Sequence, residues 1–188
     1  MKNSNAGAER WRLGRLSKLS FVWSLLKVRV NCSMATVIRP AIPADLDHIG
    51  RWGRALYEVE RAFEPRMQFF GDHYRERDAQ QLSSPDALYL IAEVQNRPVG
   101  YLAASIIATP EYLALSGREC TVEVVYVEEC ARGRGVAAKL VEVCFSWLQE
   151  QGAKRVRAGI YAQNKASLKL FERFGLQPYH VTMLKTFD

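Results

Sequence analysis

A chain of 188 residues, of which 48% are hydrophobic, can bury one substantial core and suits a single domain. Its formal net charge of +6 lies in residues 1–35, where seven basic residues stand against Glu9 alone, and the rest of the chain is neutral. The overall basic charge therefore gives no ground for a nucleic-acid-binding domain.

Residues 1–33 form a basic extension ahead of the patterned part of the chain. Their apolar run, Leu19–Leu26, is too short to span a bilayer, and Lys27 and Arg29 follow too closely for a good secretory signal. A tail, or a start mis-assigned upstream of Met34, is favoured, while an organelle transit peptide and a peripheral membrane segment stay open. We assign no function to this extension.

The first half of residues 36–188 predicts a strand, two helices and a pair of strands. TVIRP reads as a short strand, and Pro43 with an acidic first turn begins a helix that continues to Val59, although Gly50 and Gly53 weaken it. A second helix covers much of residues 66–82. The β-rich runs ALYLIAEV and PVGYLAASII, separated by Gln-Asn-Arg, predict a hairpin.

The second half alternates strands and helices. RECTVEVVYV and RVRAGIYA predict strands, and between them lies an amphipathic helix that ends at Gly152. NKASLKLFERFG predicts a helix capped by Asn164 and ended by Gly175, and YHVTMLKTF predicts a last alternating strand. The predicted order is β-α-α-β-β-β-α-β-α-β.

Cysteines and histidines are scattered along the chain. None forms a Cys-x-x-Cys pair or a spacing suited to metal ligation, so we expect neither a metal site nor a disulfide framework, and we expect a reducing, cytoplasmic location. They are Cys32, Cys120, Cys130, Cys144, His48, His73 and His180.

The stretch EECARGRGVAAKLVE, residues 128–142, directly follows a strand and opens a helix. Unpaired amides and the helix dipole favour an anion at that place, glycines let a phosphate approach, and Arg132 and Arg134 add positive potential. A tight turn that only needs positive φ is the alternative. A dinucleotide fold is excluded, because fewer than sixty residues follow and the next strand has no acid; a P-loop lysine is absent.

Two motifs in this half resemble the GNAT superfamily of N-acetyltransferases. Arg132-x-x-Gly135-x-Ala137 after VVYV is similar to its acetyl-CoA motif, and NKASLKLFERFGL is similar to its later helix. The resemblance covers about residues 36–188 as one domain. It implies an α/β fold with a mixed, mostly antiparallel sheet flanked by helices, and a V-shaped cleft between strands near residues 120–127 and 156–161.

The resemblance also implies acetyl transfer from acetyl-CoA to a primary amine of a small molecule or protein, by direct attack in a ternary complex. The amides of the glycine turn would hold the pyrophosphate, the preceding strand would pair with the pantetheine arm, and the later helix would contribute further contacts. The implied coenzyme-binding residues are Val125, Tyr126, Val127, Arg132, Gly133, Arg134, Gly135, Val136, Ala137, Ala138, Asn164 and Phe171.

Acetyl transfer to an amine requires a base, and Glu123 on the strand beside the thioester is the candidate, with Glu119 as the fallback. Strand parity places Glu123 on the face of Val125 and Val127, unless a bulge resets the register. Many family members have, where this chain has Phe171, a tyrosine that acts as the general acid towards the leaving thiolate. Either Tyr126 or Tyr161 substitutes as the acid, or the thiolate leaves unprotonated, which a thiol pKa of about 8.5 allows.

The acceptor is expected to contact residues 50–82, where aromatic and acidic side chains mix with arginines that nearly cancel the acids. A peptide N-terminus, a lysine, a polyamine and an amino-acid amine all stay open. A non-catalytic acyl-CoA-binding or regulatory domain is the alternative function. We expect neither a nucleic-acid nor a membrane partner, and a homodimer stays open.

Overall fold

Five strands form one sheet in chain order in the computed structural model, which describes residues 35–69, 71–107 and 118–187. The strands are β1 (Thr36–Pro40), β2 (Ala87–Val94), β3 (Arg97–Ile107), β4 (Arg118–Val127) and β5 (Ala153–Ala158). The helices are α1 (Leu46–Glu60), α2 (Gly71–Gln81), α3 (Val136–Glu150) and α4 (Lys165–Glu172). Strands β1 to β4 pair antiparallel and β5 pairs parallel to β4, which confirms the predicted fold class.

The sheet has a hydrophobic cluster on each face, because successive strand residues point to opposite sides. On one face Leu102 and Val122 pack with Leu140 and Val141 of α3. On the other face α1 contributes Ile49 and Trp52 to a cluster with Tyr89, Ile91, Tyr101 and Ala103. Helices therefore cover both sides of the sheet, and α1 lies on the side opposite to α3.

The β2–β3 hairpin forms as predicted. Gln95 and Asn96 occupy its two-residue turn with φ values of 53° and 59°. Two consecutive residues at positive φ are typical of the type I′ turn, whose twist matches the right-handed twist of the flanking strands. Asparagine tolerates this backbone region better than most residues, so the turn chemistry is present in the sequence itself.

Strand β4 separates from β5 halfway along its length. The parallel pairing begins near Arg118 and Ala153 and ends at Val122 and Ala158, while β4 continues to Val127 along β3. A break in the β3–β4 register leaves Glu123 without a partner residue, because Ala103 pairs with Val124 and Ala104 with Val122. The two features together produce the predicted cleft beside the second half of β4.

Three predicted elements differ from the observed ones. The second helix is confined to Gly71–Gln81, and the RVRAGIYA strand ends at Ala158. The predicted final strand over residues 179–187 is wrong, since none of these residues as far as 187 has strand pairing. Its apolar side chains are exposed, including Tyr179 (81%) and Met183 (88%), so no burial offsets the entropy of ordering the segment.

The predictions for the basic extension concern residues that lie outside the described ranges. In the ranges that are described, no helix combines the length and apolarity needed to cross a membrane.

Candidate active site

The turn between β4 and α3 presents a run of free amides. The backbone hydrogen bonds of α3 begin with Lys139 N, which donates to Gly135 O at 3.1 Å. The amides of residues 133–138 donate to no backbone carbonyl in the described ranges. Six consecutive N–H groups at a helix N-terminus form a concave donor set suited to an anion, with the helix dipole adding positive potential.

Both glycines of this turn have positive φ, 72° at Gly133 and 81° at Gly135. The backbone of this turn therefore favours glycine at both positions, and the same turn also leaves room for a ligand. A Cβ built at either position would meet nothing within 4 Å, so the space beside these amides is open. The geometry fits a phosphate that must approach the backbone closely.

Arg132 ties this turn to the end of β4. Its Nε donates to the carbonyl oxygen of Val127 at 2.9 Å, and its guanidinium lies over the ring of Tyr126 at 5.8 Å. The ring of Tyr126 in turn stacks on Trp52 of α1, with centroids 6.4 Å apart. Arg134 is exposed and follows directly in the turn. Both arginines are exposed, and Arg132 in addition holds the turn to the end of β4 through its hydrogen bond to Val127.

Glu123 lies on the face of the sheet opposite to the one that strand parity predicts. Val122, Val125 and Val127 pack in the α3 cluster, whereas Glu123 and Val124 line a cavity on the α1 side. The correction follows from the bulge, which adds one residue and so reverses the alternation beyond it. The Glu123 side chain is held there by the Ser105 hydroxyl, which donates to Oε1 at 2.6 Å.

A cavity of about 550 Å³ lies between α1, α2 and the sheet, and we call it the α1–α2 cavity. The sheet contributes Tyr101, Glu123 and Val124 to its wall. The helices and the segment between them contribute Asp47, Ile49, Gly50, Arg51, Gly53, Arg54, Leu56, Tyr57, Glu60, Met67, Phe69, Gly71, Tyr74, Arg75, Arg77 and Asp78. Its volume falls in the range of small-molecule sites.

Four carboxylates and four guanidiniums line this cavity, so it is neutral as a whole. Two of each are paired internally: Arg75 contacts Asp47 at 2.7 Å, and Arg77 contacts Asp78 at 3.0 Å. Asp78 also accepts a hydrogen bond from Tyr89 at 2.9 Å. These pairs support the wall, and they leave four other charged side chains to face a ligand.

The four remaining charges are Glu60, Glu123, Arg51 and Arg54, and none forms an ion pair with another described residue. Burial raises the pKa of Glu60, because the ionised carboxylate loses hydration without gaining a cationic partner. Arg54 lies over the ring of Phe69 at 5.2 Å, and Arg51 contacts His48 at 2.6 Å. Both signs of charge are therefore available to a bound molecule.

Several predicted residues lie away from the cavity. Glu119 is 2% exposed and its Oε2 has no partner among the described residues, while its Oε1 is 3.5 Å from Arg157. Phe171 is 5% exposed and packs in the α3 cluster. Asn164 caps α4, accepting from Ser167 N at 3.1 Å. Tyr161 contacts the cavity residue Met67 through its hydroxyl, 3.7 Å from the sulfur.

Sequence reasoning did not single out Ser105 or Tyr101. Both belong to β3, and each lies close to Glu123 or the cavity only through the pairing of β3 with β4. Strand alternation within β3 places residues 101, 103 and 105 on one face, which is the one signal that could have indicated them. No group of three or more His, Cys, Asp or Glu gathers at metal-binding spacing in the part of the chain that the structure describes.

Comparison with known proteins identifies the family. The model of the acetyltransferase (GNAT) family matches residues 54–176, which include α2, all of β2 to β5, the glycine turn and α4. The chain therefore belongs to the GNAT family of acetyltransferases. This confirms the resemblance drawn from the two motifs and the predicted class of enzyme.

Individual relatives are more distant. YwnH of Bacillus subtilis (strain 168), a protein named provisionally as a phosphinothricin acetyltransferase, is 32% identical over 113 residues, which are 60% of this chain and 61% of YwnH. The match thus spans less than two thirds of that relative. A mutant of the BH1408 protein from Bacillus halodurans has a TM-score of 0.69 at 15% identity, covering 81% of this chain and 99% of that one.

A third relative is the aminoglycoside N-acetyltransferase AAC(6')-Iy, whose structure was determined in complex with CoA. It has a TM-score of 0.63 at 18% identity and covers 81% of this chain and 95% of its own. At these identities the structural likeness shows the fold, and it confirms the mixed sheet flanked by helices.

Proposed function

We propose that this protein transfers the acetyl group of acetyl-CoA to a primary amine of a small molecule, by direct attack in a ternary complex. The observation that carries the proposal is that Glu123 joins two sites. It lies at the bulge of β4, four residues before the end of the strand that leads to the free amides, and it also lines the α1–α2 cavity. A coenzyme in the cleft and an amine in the cavity would meet at this carboxylate.

The residues present fit acetyl-CoA as co-substrate. The six free amides of residues 133–138 would hold the pyrophosphate, with Arg134 adding charge and Arg132 fixing the turn. Beyond Val122, the side of β4 that faces β5 has no strand partner in the described ranges, so the backbone of residues 125–127 can pair with an extended pantetheine arm. Asn164 would contact the coenzyme while capping α4, and Phe171 would support the arm from the core.

The chemistry assigned to Glu123 is removal of a proton from the acceptor. An ammonium group has no lone pair, so the amine must lose a proton to Glu123, directly or through water, before or during attack. Its nitrogen then bonds to the thioester carbonyl carbon, the carbon–sulfur bond breaks, and the second proton that the nitrogen must lose passes to the leaving thiolate, directly or through a hydroxyl group or water. The hydrogen bond from Ser105 orients the carboxylate towards the cavity.

Position 171 is phenylalanine and cannot donate a proton. The leaving thiolate can instead accept a proton from another tyrosine hydroxyl. Tyr126 lies on β4 beside the turn, and Tyr161 follows β5 across the cleft. Burial, with a smaller contribution from the charges of Glu60 and Glu64, raises the pKa of Tyr161 above its ordinary value. Tyr126 remains our first assignment because it belongs to the strand that would hold the coenzyme.

The charges of the cavity favour an amine that also carries an acidic group. A polycation would need a surplus of carboxylates, whereas this cavity offers two unpaired carboxylates and two arginines without an acidic partner. An ammonium group near Glu60 and Glu123 and an anion near Arg51 and Arg54 would satisfy both signs. The names of the relatives, one for phosphinothricin and one for aminoglycosides, supply acceptors with which to begin.

Release of free thiol from acetyl-CoA, measured with a panel of amines, tests the proposal. The panel contains phosphinothricin, an aminoglycoside, a polyamine, free amino acids and a lysine-containing peptide. We expect acetylation of at least one small amine, and faster turnover with acidic amines than with the aminoglycoside. Binding of acetyl-CoA without turnover of any amine would favour a non-catalytic coenzyme-binding domain instead.

We propose that residues 36–188 constitute the catalytic domain and that residues 1–33 are dispensable for it. The cysteines in the described ranges, Cys120, Cys130 and Cys144, are free, which supports a reducing compartment such as the cytoplasm.

A further inference from the structure

Helix α1 carries two glycines in its interior, and both line the α1–α2 cavity. Gly50 and Gly53 lie on one helical face with Arg54, Tyr57 and Glu60, following spacings of three and four residues. The adjoining side of the helix packs Ile49 and Trp52 into the sheet, and Ile49 also reaches the cavity. The wall that α1 offers to the cavity therefore lacks a side chain at two positions one helical turn apart.

Nothing in the backbone requires glycine at either position. Neither residue has positive φ, and both lie within a continuous helix. A Cβ at Gly50 would meet nothing within 4 Å, and a Cβ at Gly53 would lie 3.6 Å from the Tyr101 hydroxyl, which is an ordinary van der Waals contact. Close packing of the helix on the sheet does not explain them either.

Glycine is among the least favourable residues in a helix interior, so stability alone would select alanine at both positions. A destabilising residue that no local geometry demands is a feature for which function is the expected reason. In this helix, the space that side chains would take is space inside the cavity.

We propose that Gly50 and Gly53 are specificity-determining residues, which leave space beside α1 at these two positions so that the cavity accepts an amine with a branched or ring-bearing body. The inference rests on the proposed function and deepens it by defining the acceptor's shape. With its amine at Glu123, the acceptor's body lies against the two glycines, between α1 and Val124.

The variants Gly53→Ala and Gly50→Leu test this role. Each adds a side chain that the backbone tolerates, so Gly53→Ala should raise the melting temperature by about 2 to 4 °C, the shift expected for a 150–250-residue protein. Each should also lower kcat/KM for ring-bearing or branched amines by about 10- to 200-fold relative to unbranched ones. The melting-temperature shift on adding acetyl-CoA should not change.

Ala55→Gly is the matched control, because residue 55 lies on the same helix and does not line the cavity. It should lower the melting temperature and leave the ratio of kcat/KM between the two kinds of amine unchanged. A changed ratio in this control would mean that helix stability, and not cavity space, sets the specificity.

The outcomes separate the inference from the proposed function. A wild-type protein that acetylates no amine removes the proposed function, and the inference with it. An active wild type whose Gly53→Ala and Gly50→Leu variants keep the same kcat/KM for bulky and slim amines overturns the inference alone. A lower melting temperature in Gly53→Ala would show that the fold itself needs that glycine, and would also overturn it.

Discussion

The hydroxyl of Ser105 donates a 2.6 Å hydrogen bond to the carboxylate of Glu123 across the irregular pairing of β3 and β4. Without the bulge, alternation would place Glu123 among the valines that pack against α3. With it, the carboxylate faces the α1–α2 cavity and is held by a neighbouring strand. One extra residue in β4 thus directs the candidate base towards the place where an acceptor would bind.

The glycine turn yields a prediction about coenzyme binding. Acetyl-CoA at 100 times its Kd should raise the melting temperature by about 5 to 10 °C, since binding to the native state stabilises by mass action. Gly135→Asp should abolish the shift, because its carboxylate would enter the space beside the free amides. Differential scanning fluorimetry with and without acetyl-CoA measures both effects.

Gly135→Asn is the matched control for that substitution. Asparagine and aspartate tolerate positive φ to a similar degree, so both variants carry the same backbone strain and differ in charge. The asparagine variant should keep part of the shift. Equal shifts in the wild type and a folded Gly135→Asp protein would remove this turn from the coenzyme site.

Glu60 yields a prediction about pH. Because burial raises its pKa, folding favours its protonated form, so stability falls as the pH rises from the ordinary value of 4.5 to the folded-state pKa, and the loss is constant above it. Glu60→Gln should therefore melt at a higher temperature than the wild type at pH 8. The difference should disappear below about pH 4.5, the ordinary value, where the wild-type side chain is also neutral.

The same variant should raise KM for a cationic amine, since an ammonium group loses its carboxylate partner. Glu58→Gln is the control, because that exposed residue lies on α1 outside the cavity and its change should alter stability by less than about 0.5 kcal/mol. If the melting temperatures of both variants respond alike to pH, the pH-dependent difference from the wild type does not come from the burial of Glu60.

Asp45 yields a prediction about the stability of the fold. It is 4% exposed and accepts two hydrogen bonds from Arg39, at 2.7 and 2.9 Å, and one from Ile42 N. Asp45→Asn should lower the free energy of unfolding by about 1.5 to 3 kcal/mol at pH 7, the range for hydrogen bonds to charged groups. Urea unfolding at pH 7 measures the loss.

The same pair fixes the sign of the pH dependence. The hydrogen bonds from Arg39 lower the pKa of Asp45 below its ordinary 3.8, so its stabilisation is present above that pH and is lost as the pH falls through the folded-state value. The difference in the free energy of unfolding between wild type and Asp45→Asn should therefore narrow as the pH falls below 3.8. An undiminished gap under those conditions would contradict this assignment.

Features encoded by neighbouring residues could be predicted from the sequence. The Asn164 cap, the Gln95–Asn96 turn and the glycine turn each depend on the chemistry of a few adjacent positions, and each forms as expected. Hydrophobic spacing likewise located α3, because one face of that helix is buried along its length.

Features set by pairing between distant segments could not be predicted in the same way. The face of Glu123 depends on how β4 aligns with β3, and Ser105 reaches it only through that alignment. The alternating run after residue 178 has strand propensity, but a strand also needs a neighbouring strand and a core to cover. The charge balance of the cavity depends on which arginines pair with which acids.

The basic extension gives a prediction that concerns the domain boundary. A chain that begins at Met34 should melt cooperatively and show the same acetyl-CoA shift as the full chain, because the charge pattern separates residues 1–33 from the rest. Calorimetry of both chains measures this. A truncated chain without a cooperative melt would place the extension within the folding unit.

The central claim is that Glu123 accepts the proton of the amine, and Glu123→Gln tests it. Glutamine keeps the shape of the side chain and can still contact Ser105, but it cannot act as a base. A general base contributes about 10² to 10⁴-fold, so the rate at neutral pH should fall by that order while the melting shift with acetyl-CoA is preserved. Ser105→Ala, which removes only the orienting hydrogen bond, should reduce the rate less.

The most direct measurement is the pH–rate profile of the wild type and Glu123→Gln with one saturating amine. The account predicts a large deficit for the variant at neutral pH that narrows as the pH rises, because more of the amine then arrives already neutral. A Glu123→Gln profile that coincides with the wild type across the whole range would contradict the account.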